Sequence, residues 1–425
     1  MKYHYKEISE LGKVITGKTP PTENDAFFGG EFPFITPSDI HSYDEKYILE
    51  TERTISSEGA KKLKGMLLSK GSICFVCIGS TIGKMCMTHK DSYTNQQINS
   101  LLPSDKYDND YLFYYLRFIK GFFQSIGAGT GSGKGIINKT LFSKTKIRVL
   151  EDKIHQQTIA KILSAYDNLI ENNNKRIKIL EQMAENLYKE WFVRFRFPGH
   201  ETTKLVASEM GKIPASFNMK KMQDVFEYYI GGGWGNDVCD KDFSEEASVI
   251  RGTDFPYVKK GDLSTCPVRY HKASNYKSRK LEDGDIILEV SGGTAEQPVG
   301  RTVLVSQQLI DRFNSRVICA SFCKLVRLNK KIISPYFFYY WMQFLYNTRI
   351  IDRFQLQSTG IINFKFEHFL KKGCVMLPPR NLMEQFEGLI IPIHSEIEKL
   401  SMHNENLIKQ RDLLLPRLMS GKLAV

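Results

Sequence analysis

The sequence predicts an α/β protein made of two repeated α/β domains, each followed by a long coiled-coil helix. Three observations carry that reading. Tyr111-Leu-Phe-Tyr-Tyr115 recurs as Tyr336-Phe-Phe-Tyr-Tyr340, and Gly135-Ile-Ile-Asn138 recurs letter for letter as Gly360-Ile-Ile-Asn363, both displaced by 225 residues. Two stretches keep an unbroken 3,4 spacing of seam residues, again in the same order in each half. The excess positive charge is confined to the repeated segments. A period this long marks a duplicated domain, because solenoid repeats run at roughly 20 to 50 residues.

The first domain spans residues 1–150 and its copy residues 216–380. Phe34-Ile-Thr-Pro-Ser-Asp-Ile40 answers Val249-Ile-Arg-Gly-Thr-Asp-Phe255, and Gly71-Ser-Ile-Cys-Phe75 answers Gly284-Asp-Ile-Ile-Leu288. Ile82-Gly83-Lys84 matches Val299-Gly300-Arg301, and Asn95 is matched with Asn314. The displacement drifts from 213 to 225 residues, which places the insertions in loops. Ile73–Ile78 and Ile286–Val290 read as buried strands, each ending in a small-residue turn, Gly79-Ser-Thr-Ile-Gly-Lys84 or Ser291-Gly-Gly-Thr294. The aromatic segments 111–123 and 335–345 read as amphipathic core helices rather than platforms for stacking bases, because aromatics at such density usually fill an interior.

A spacer helix is expected over residues 151–197 and its copy over 381–425, with a polar connector at 198–215. Leu163, Tyr166, Ile170, Asn173, Ile177, Leu180, Ala184, Leu187 and Trp191 form one seam. Ile390, Ile393, Ile397, Leu400, Asn404, Leu407, Arg411, Leu414 and Leu418 form the other, each displaced by 227. From Asp152 to Phe192 a helix runs ~60 Å, more than one domain covers, so each stripe needs a partner and the other helix is the nearest. Asn173 and Asn404 are expected in the interface close to one another, where a buried amide fixes register at some cost in stability. Arg411 is expected near an end, reaching water by its long stem. Phe197-Pro198-Gly199 and Ser420-Gly421 end the helices.

Charge sharpens the picture. Residues 1–150 carry 20 Lys+Arg against 15 Asp+Glu and residues 216–380 carry 24 against 17, whereas 151–215 (10 against 9) and 381–425 (5 against 6) are near balance. Basic lobes joined by neutral helices suggest a polyanion held at two places; the alternative is a basic surface of no further meaning. With 42% hydrophobic and 25% charged residues the chain reads as a globular protein. No apolar run approaches the ~20 residues of a spanning helix and Met1-Lys-Tyr-His-Tyr5 opens no signal peptide, so a cytoplasmic location and no membrane contact are expected.

Catalytic and metal motifs mostly fail. Cys74-x-x-Cys77 lies in a strand, where residues three apart face opposite ways, and Cys319-x-x-x-Cys323 lies in a similar run; buried thiols are expected and no metal site. Ala128-Gly-Thr-Gly-Ser-Gly-Lys134 approaches a phosphate-binding loop, but Gly135 stands where a Ser or Thr should hold magnesium. Such glycine-rich turns still suit DNA phosphates, because they offer backbone N–H groups beside a lysine. An Asn-Pro-Pro-Tyr-like methyltransferase segment and a dinucleotide fingerprint are missing, and the single Glu-x-Lys, Glu151-Asp-Lys153, opens a helix. The histidines show no paired spacing. These residues describe a binder without catalytic residues.

Taken in order, the motifs resemble the DNA-specificity (S) subunit of type I restriction-modification enzymes over the entire chain. The resemblance rests on the paired lobe-and-helix plan, Gly17-Lys-Thr-Pro20, the run Gly71–Lys84 followed by Asn95-Gln96, and Gly211-Lys-Ile-Pro214 before the second lobe. Glu384-Gln385 and the ending Leu414-Leu-Pro-Arg-Leu-Met-Ser-Gly-Lys-Leu423 complete it. The second lobe departs by carrying Gly231-Gly-Gly-Trp-Gly235 in place of Gly-Lys-Thr-Pro, and the first helix by His155-Gln156 in place of Glu-Gln.

The resemblance implies a non-catalytic subunit with two target recognition domains, each reading half of a split sequence in double-stranded DNA. The two helices would pack as an antiparallel coiled coil that sets the spacing. It also implies two methylation subunits carrying S-adenosylmethionine and two ATP- and Mg-dependent restriction subunits as partners, with no cofactor in this chain. The candidate DNA contacts are Lys18, Thr19, Ser80, Thr81, Lys84, Lys134, Arg251, Thr294 and Arg301; for each, the alternative is a solvated surface group. The candidate interface residues are Asn173, Ile177, Leu180, Leu187, Leu400, Asn404, Leu407 and Leu414. The other classes weighed are a stand-alone DNA-modifying or DNA-cleaving enzyme with two DNA-binding lobes, and a dimeric coiled-coil protein with basic heads.

Overall fold

Repetition in the sequence becomes repetition in topology. The computed structural model describes residues 2–41, 45–128, 135–208, 211–294, 297–358 and 361–425. In the first lobe a four-stranded antiparallel sheet runs in the order Gly12–Thr16, Ile98–Pro103, Ile73–Val76, Met85–Met87. The second lobe repeats it with Phe226–Gly231, Cys323–Leu328, Ile286–Glu289, Thr302–Leu304. Beside it, Phe28–Ile35 pairs in parallel with Tyr93–Thr94, as Glu245–Ile250 does with Val317–Cys319.

The continuous apolar run Ile73–Val76 is buried on both faces, which is why it shows no alternation. Ile73 and Phe75 join the aromatic core around Tyr111 and Phe113, while Cys74 and Val76 face Ile15, Ile35 and Ile40. Cys77 lies on the first of these faces, so Cys74 and Cys77 belong to separate clusters, and both are free thiols. The aromatic segments are helices, Asn109–Phe118 and Pro335–Asn347, capped by Asp108 and Ser334.

Equivalent hydrogen bonds fix the true register of the duplication. Val76 N–H donates to Lys84 O and Glu289 N–H to Arg301 O, both at 2.9 Å, so Lys84 and Arg301 do correspond. Asn95 does not correspond to Asn314. Asn95 N–H donates to Ile35 O and Ala320 N–H to Ile250 O, making Ala320 its counterpart. The repeated Gly-Ile-Ile-Asn is also out of register, by two residues: Ile137 N–H donates to Cys77 O and Phe364 N–H to Val290 O, both at 2.8 Å. Asn138 caps the helix Lys139–Lys144, and Lys365 holds that place before Phe366–Lys372. The caps likewise set Tyr111 opposite Phe337 rather than Tyr336. Low-diversity aromatic and aliphatic strings score as identical at a shifted register; the backbone does not.

The first long helix is Lys153–Tyr188, continued by a π turn at Lys189–Val193, and the second is Arg380–Ser420. By packing, the chain divides into residues 1–172 with 406–425, and residues 173–405. Each unit therefore holds one lobe and a stretch of both helices. The core of the first continues from Tyr111 and Phe142 into Ile159, Leu163, Leu415 and Leu418. That of the second continues from Phe337 and Phe369 into Ala184, Tyr188, Trp191, Phe386 and Ile390. Phe192 meets Phe337 and Phe386 at ring-centroid distances of 4.9 and 5.0 Å. Apolar burial of this kind binds each lobe to its helices.

Candidate nucleic-acid interface and helix seam

Gly17 follows the strand Gly12–Thr16, and a Cβ on it would stand 2.3 Å from the carbonyl oxygens of Thr94 and Asn95. Only glycine allows that approach, and the chain then turns so that Lys18 is exposed with its N–H on Thr94 O. Thr19 Oγ1 donates to Gln96 Oε1 at 2.8 Å. Thr19 also lines a cleft of about 210 Å³ with Thr36, Arg53 and Asn95. In lobe two Gly232 takes the place of Gly17: its N–H binds Cys323 O as Gly17 N–H binds Ile98 O, and a Cβ there would stand 2.1 Å from Ala320 O. Lys18 and Thr19 are thus replaced by Gly233 and Trp234, and Trp234 is 41% exposed with the Arg269 guanidinium 4.7 Å from its ring.

Gly79, at φ 77°, opens the turn that carries exposed Ser80 and half-buried Thr81, and its N–H donates to Gly135 O at 3.0 Å. The two glycine-rich segments therefore meet at Gly79 and Gly135. Lys134 lies outside the described residues. Thr294 is exposed, and its Oγ1 accepts from Gln297 N–H at 3.1 Å.

Three basic candidates hold partners within their own lobe. Lys84 is half-buried and its Nζ donates to Ile40 O at 2.8 Å. Arg301, 15% exposed, forms a two-pronged pair with Glu289 at 2.8 and 2.6 Å and donates to Gly252 O. Arg251 grips Asp254 with two nitrogens, each at 2.9 Å, and donates to Thr265 O. Lys84 and Arg301 thus fasten a neighbouring loop to the same turn in each lobe. Sequence alone cannot separate such a staple from a DNA contact, because both place a cation after a glycine turn. Exposed Lys272, Lys277 and Lys280 were missed; Lys277 lies on the helix Ala273–Arg279 and the other two flank it, and Arg279 donates to Gly231 O at 2.9 Å.

Within each unit the helices run antiparallel. In the second, Asn173 Nδ2 donates to Asn404 Oδ1 and Asn404 Nδ2 to Asn174 Oδ1, both at 2.9 Å. Ile177, Leu180, Ile393, Ile397 and Leu400 pack beside them, and Leu187 packs against the lobe core. In the first unit Leu414 packs against the lobe core and Leu407 is buried. Arg411 does not reach water. It is fully buried, donating to Asp167 at 2.6 Å and to Asp412 at 3.0 Å. Burial opposes its charge, and the two carboxylates more than offset that.

Tyr114 O–H also donates to Asp167. At the matching place in the second unit, Tyr340 O–H donates to His394 Nε2 at 2.8 Å; burial pushes the His394 pKa down to about 4, which keeps the ring a neutral acceptor. Among the described residues no group of three or more His, Cys, Asp or Glu gathers to hold a metal ion, and no helix is long and apolar enough to cross a membrane.

Comparison with known proteins gives the class. Residues 2–182 match the type I restriction modification DNA specificity domain. The type I restriction enzyme MjaIX specificity subunit of Methanocaldococcus jannaschii is 26% identical over 425 residues, covering 99% of this chain and 93% of that protein. The HindI specificity subunit of Haemophilus influenzae is 32% identical over 179 residues, 41% of this chain and 38% of that protein. In fold, the chain is similar to the crystal structure of a type I restriction-modification S subunit from M. genitalium, with a TM-score of 0.55, 13% identity and coverage of 98% and 96%. Residues 2–182 thus carry the match to the DNA specificity domain, and over nearly its whole length the chain is similar to type I restriction enzyme specificity subunits.

Proposed function

We propose that this chain is the subunit that selects the DNA sequence for a type I restriction-modification complex, without chemistry of its own. Each lobe reads one half of a bipartite target in double-stranded DNA, and the helices set the spacing and dock the methylation subunits. Two methylation subunits carry S-adenosylmethionine, two restriction subunits use ATP and Mg, and the assembly works in the cytoplasm. One observation carries the reading: two lobes of the same topology, with basic sequences, are each packed onto a helix pair held in register. Reading two half-sites requires a spacer matched to the duplex, in which one turn is ~34 Å. The candidates that remain for DNA are exposed Lys18 and Ser80 with half-buried Thr19 and Thr81 in lobe one, and exposed Thr294, Trp234, Lys272 and Lys277 in lobe two.

Mapping methylated adenines in the host genome, with and without the gene, tests the function. Inserting seven residues after Ile177 keeps the seam and lengthens the helix by ~10 Å, about three base pairs. The expected result is methylation at the same half-sites with a longer gap; altered half-sites with an unchanged gap refute the spacer role. The pure chain, incubated with DNA, Mg and S-adenosylmethionine, is expected to leave the DNA unchanged.

A further inference from the structure

The internal repeat lets one lobe serve as the comparison for the other. Asp39 and Asp254 close the same turn: Thr36 N–H donates to Asp39 Oδ2 at 2.8 Å and Arg251 N–H to Asp254 Oδ2 at 2.9 Å. Arg251 therefore stands where lobe one has Thr36. Phe34 and Val249 hold the same place in the two parallel strand pairs. Phe34 lies opposite Arg53 on the neighbouring strand, whereas Val249 N–H donates to Pro267 O, so Arg53 stands where lobe two has Pro267.

The two arginines are engaged differently. Arg251 is taken up inside its own lobe by Asp254 and Thr265 O. Arg53 is exposed, and among the described residues its guanidinium has no ion pair and no hydrogen bond; it lies over the Phe28 ring, 5.5 Å from the centroid. The other two arginines of lobe one are occupied. Arg117 is buried with Asp412 at 3.8 Å, and Arg148 lies over the Tyr3 ring and donates to Ser420 O.

Arg53 lines the cleft of about 210 Å³ together with Thr19, Asp39, Glu52 and Asn95 among others. Asp39 already accepts from Thr36 N–H, Thr36 Oγ1 and Glu52 N–H, which leaves the guanidinium to an outside group. Two carboxylates beside one cation give the cleft no excess of positive charge, so a phosphate is a poor occupant. A base edge fits better. Guanine presents two acceptors, O6 and N7, at the spacing of the guanidinium fork. The Phe28 ring backs one side of the fork and lowers the cost of ordering it.

Resting on the proposed reading of DNA by the lobes, we infer that Arg53 reads a guanine in the half-site taken by lobe one, its fork donating to O6 and N7. Lobe two, with Pro267 at that place and Arg251 held by Asp254, lacks this contact. The cleft beside Thr19 is then a base-reading site and not a phosphate site.

Methylation maps of a host whose complex carries Arg53→Ala or Arg53→Lys test this. Both variants are expected to relax a single G·C position in one half-site and to leave the other half-site and the spacing unchanged; lysine fails with alanine because it lacks the fork. Binding of the assembled methyltransferase to duplexes of the mapped target gives a second readout. With the unchanged chain, 7-deazaguanine at that position, which lacks N7, should weaken binding by roughly tenfold, and inosine, which keeps O6 and N7, should be tolerated. Arg53→Ala should be indifferent to the 7-deazaguanine. Maps that keep every position, relaxation at an A·T pair, or equal binding of the unchanged chain to every 7-deazaguanine duplex would overturn the inference. So would equal weakening on all sequences with a shallower salt slope, the mark of a phosphate contact. Host methylation that survives deletion of the gene would overturn the proposed function itself, a result distinct from any of these.

Discussion

Replacing Arg411 by Met tests the least expected feature of the seam. Arg411 is fully buried and the Asp167 side chain is 5% exposed, with 2.6 Å between them. Removing the arginine leaves Asp167 charged and buried, with Tyr114 O–H as one remaining donor. Breaking such a pair from one side costs about 3–5 kcal/mol, whereas replacing both partners by apolar groups of similar volume is often near neutral. Arg411→Met is therefore expected to lower the stability of the first unit by that amount, and Arg411→Met with Asp167→Leu to recover most of it, a coupling of at least about 2 kcal/mol. The assay must resolve the units, because unfolding of a two-unit chain is not a single transition. All three tryptophans, Trp191, Trp234 and Trp341, lie in residues 173–405, so their fluorescence reports the second unit. Hydrogen exchange over residues 153–172 and 406–420 reports the first. A loss under about 1 kcal/mol from Arg411→Met, or additivity in the double variant, would mean that the guanidinium escapes to water by its stem, and the buried pair would be refuted.

Arg301→Ala strands Glu289, whose side chain is 4% exposed, and is expected to destabilise lobe two by about 3–5 kcal/mol in denaturant titration followed by tryptophan fluorescence; a stable variant with altered half-site preference would return Arg301 to the DNA face. Asn173→Leu with Asn404→Leu should raise the midpoint of helix-pair unfolding while relaxing register, read as mixed spacer lengths in methylation maps; an unchanged single spacing would deny the amides that role. Because the folded His394 pKa lies near 4 and the unfolded value near 6.5, the unfolded state binds the proton first, so stability falls as pH drops from about 6.5 to about 4, by up to about 3 kcal/mol. His394→Gln should flatten that slope in melts of the second unit, and an unaltered slope would place the titration elsewhere.

Much of the architecture was legible because it is written in periods. The 3,4 seams, the end of the second helix before Gly421 and the buried strand Ile73–Val76 follow from apolar spacing and turn residues alone, whereas the first helix stops at Val193, short of the expected Phe197-Pro198-Gly199. Asn173 and Asn404 were legible for the same reason. Register within the repeat was less so, since Tyr-Leu-Phe-Tyr-Tyr shares four letters with Tyr-Phe-Phe-Tyr-Tyr but one with Phe-Phe-Tyr-Tyr-Trp, its structural counterpart. The destination of each cation was not legible at all. Lys84, Arg251 and Arg301 sit in turns that look exposed, and their partners Ile40 O, Asp254 and Glu289 become visible only once strands bring them together. Arg411 misled in the opposite sense, because its partner Asp167 stands beside the seam, one residue after Tyr166, where apolar spacing marks nothing.

What the lobes share and where they differ bears on the proposed reading of two unlike half-sites. The backbone bonds of Gly17 and Gly232, of Val76 and Glu289, and of Ile137 and Phe364 are the same in kind and place, and Lys84 and Arg301 staple equivalent loops. At the exposed edge that follows Gly17 and Gly232 the side chains change completely, from Lys18 and Thr19 to Gly233 and Trp234. A duplicated domain held to one scaffold by its interior, yet free at one edge, can present two different surfaces from a single backbone geometry. That edge is also reached by Arg53 and Asn95 through the cleft beside Thr19 in lobe one, and by Arg269 and Arg279 in lobe two. Recognition that differs between lobes therefore has its physical means in side chains outside the staples, and exchanging Lys18-Thr19 with Gly233-Trp234 should alter the half-sites while leaving the spacing between them untouched.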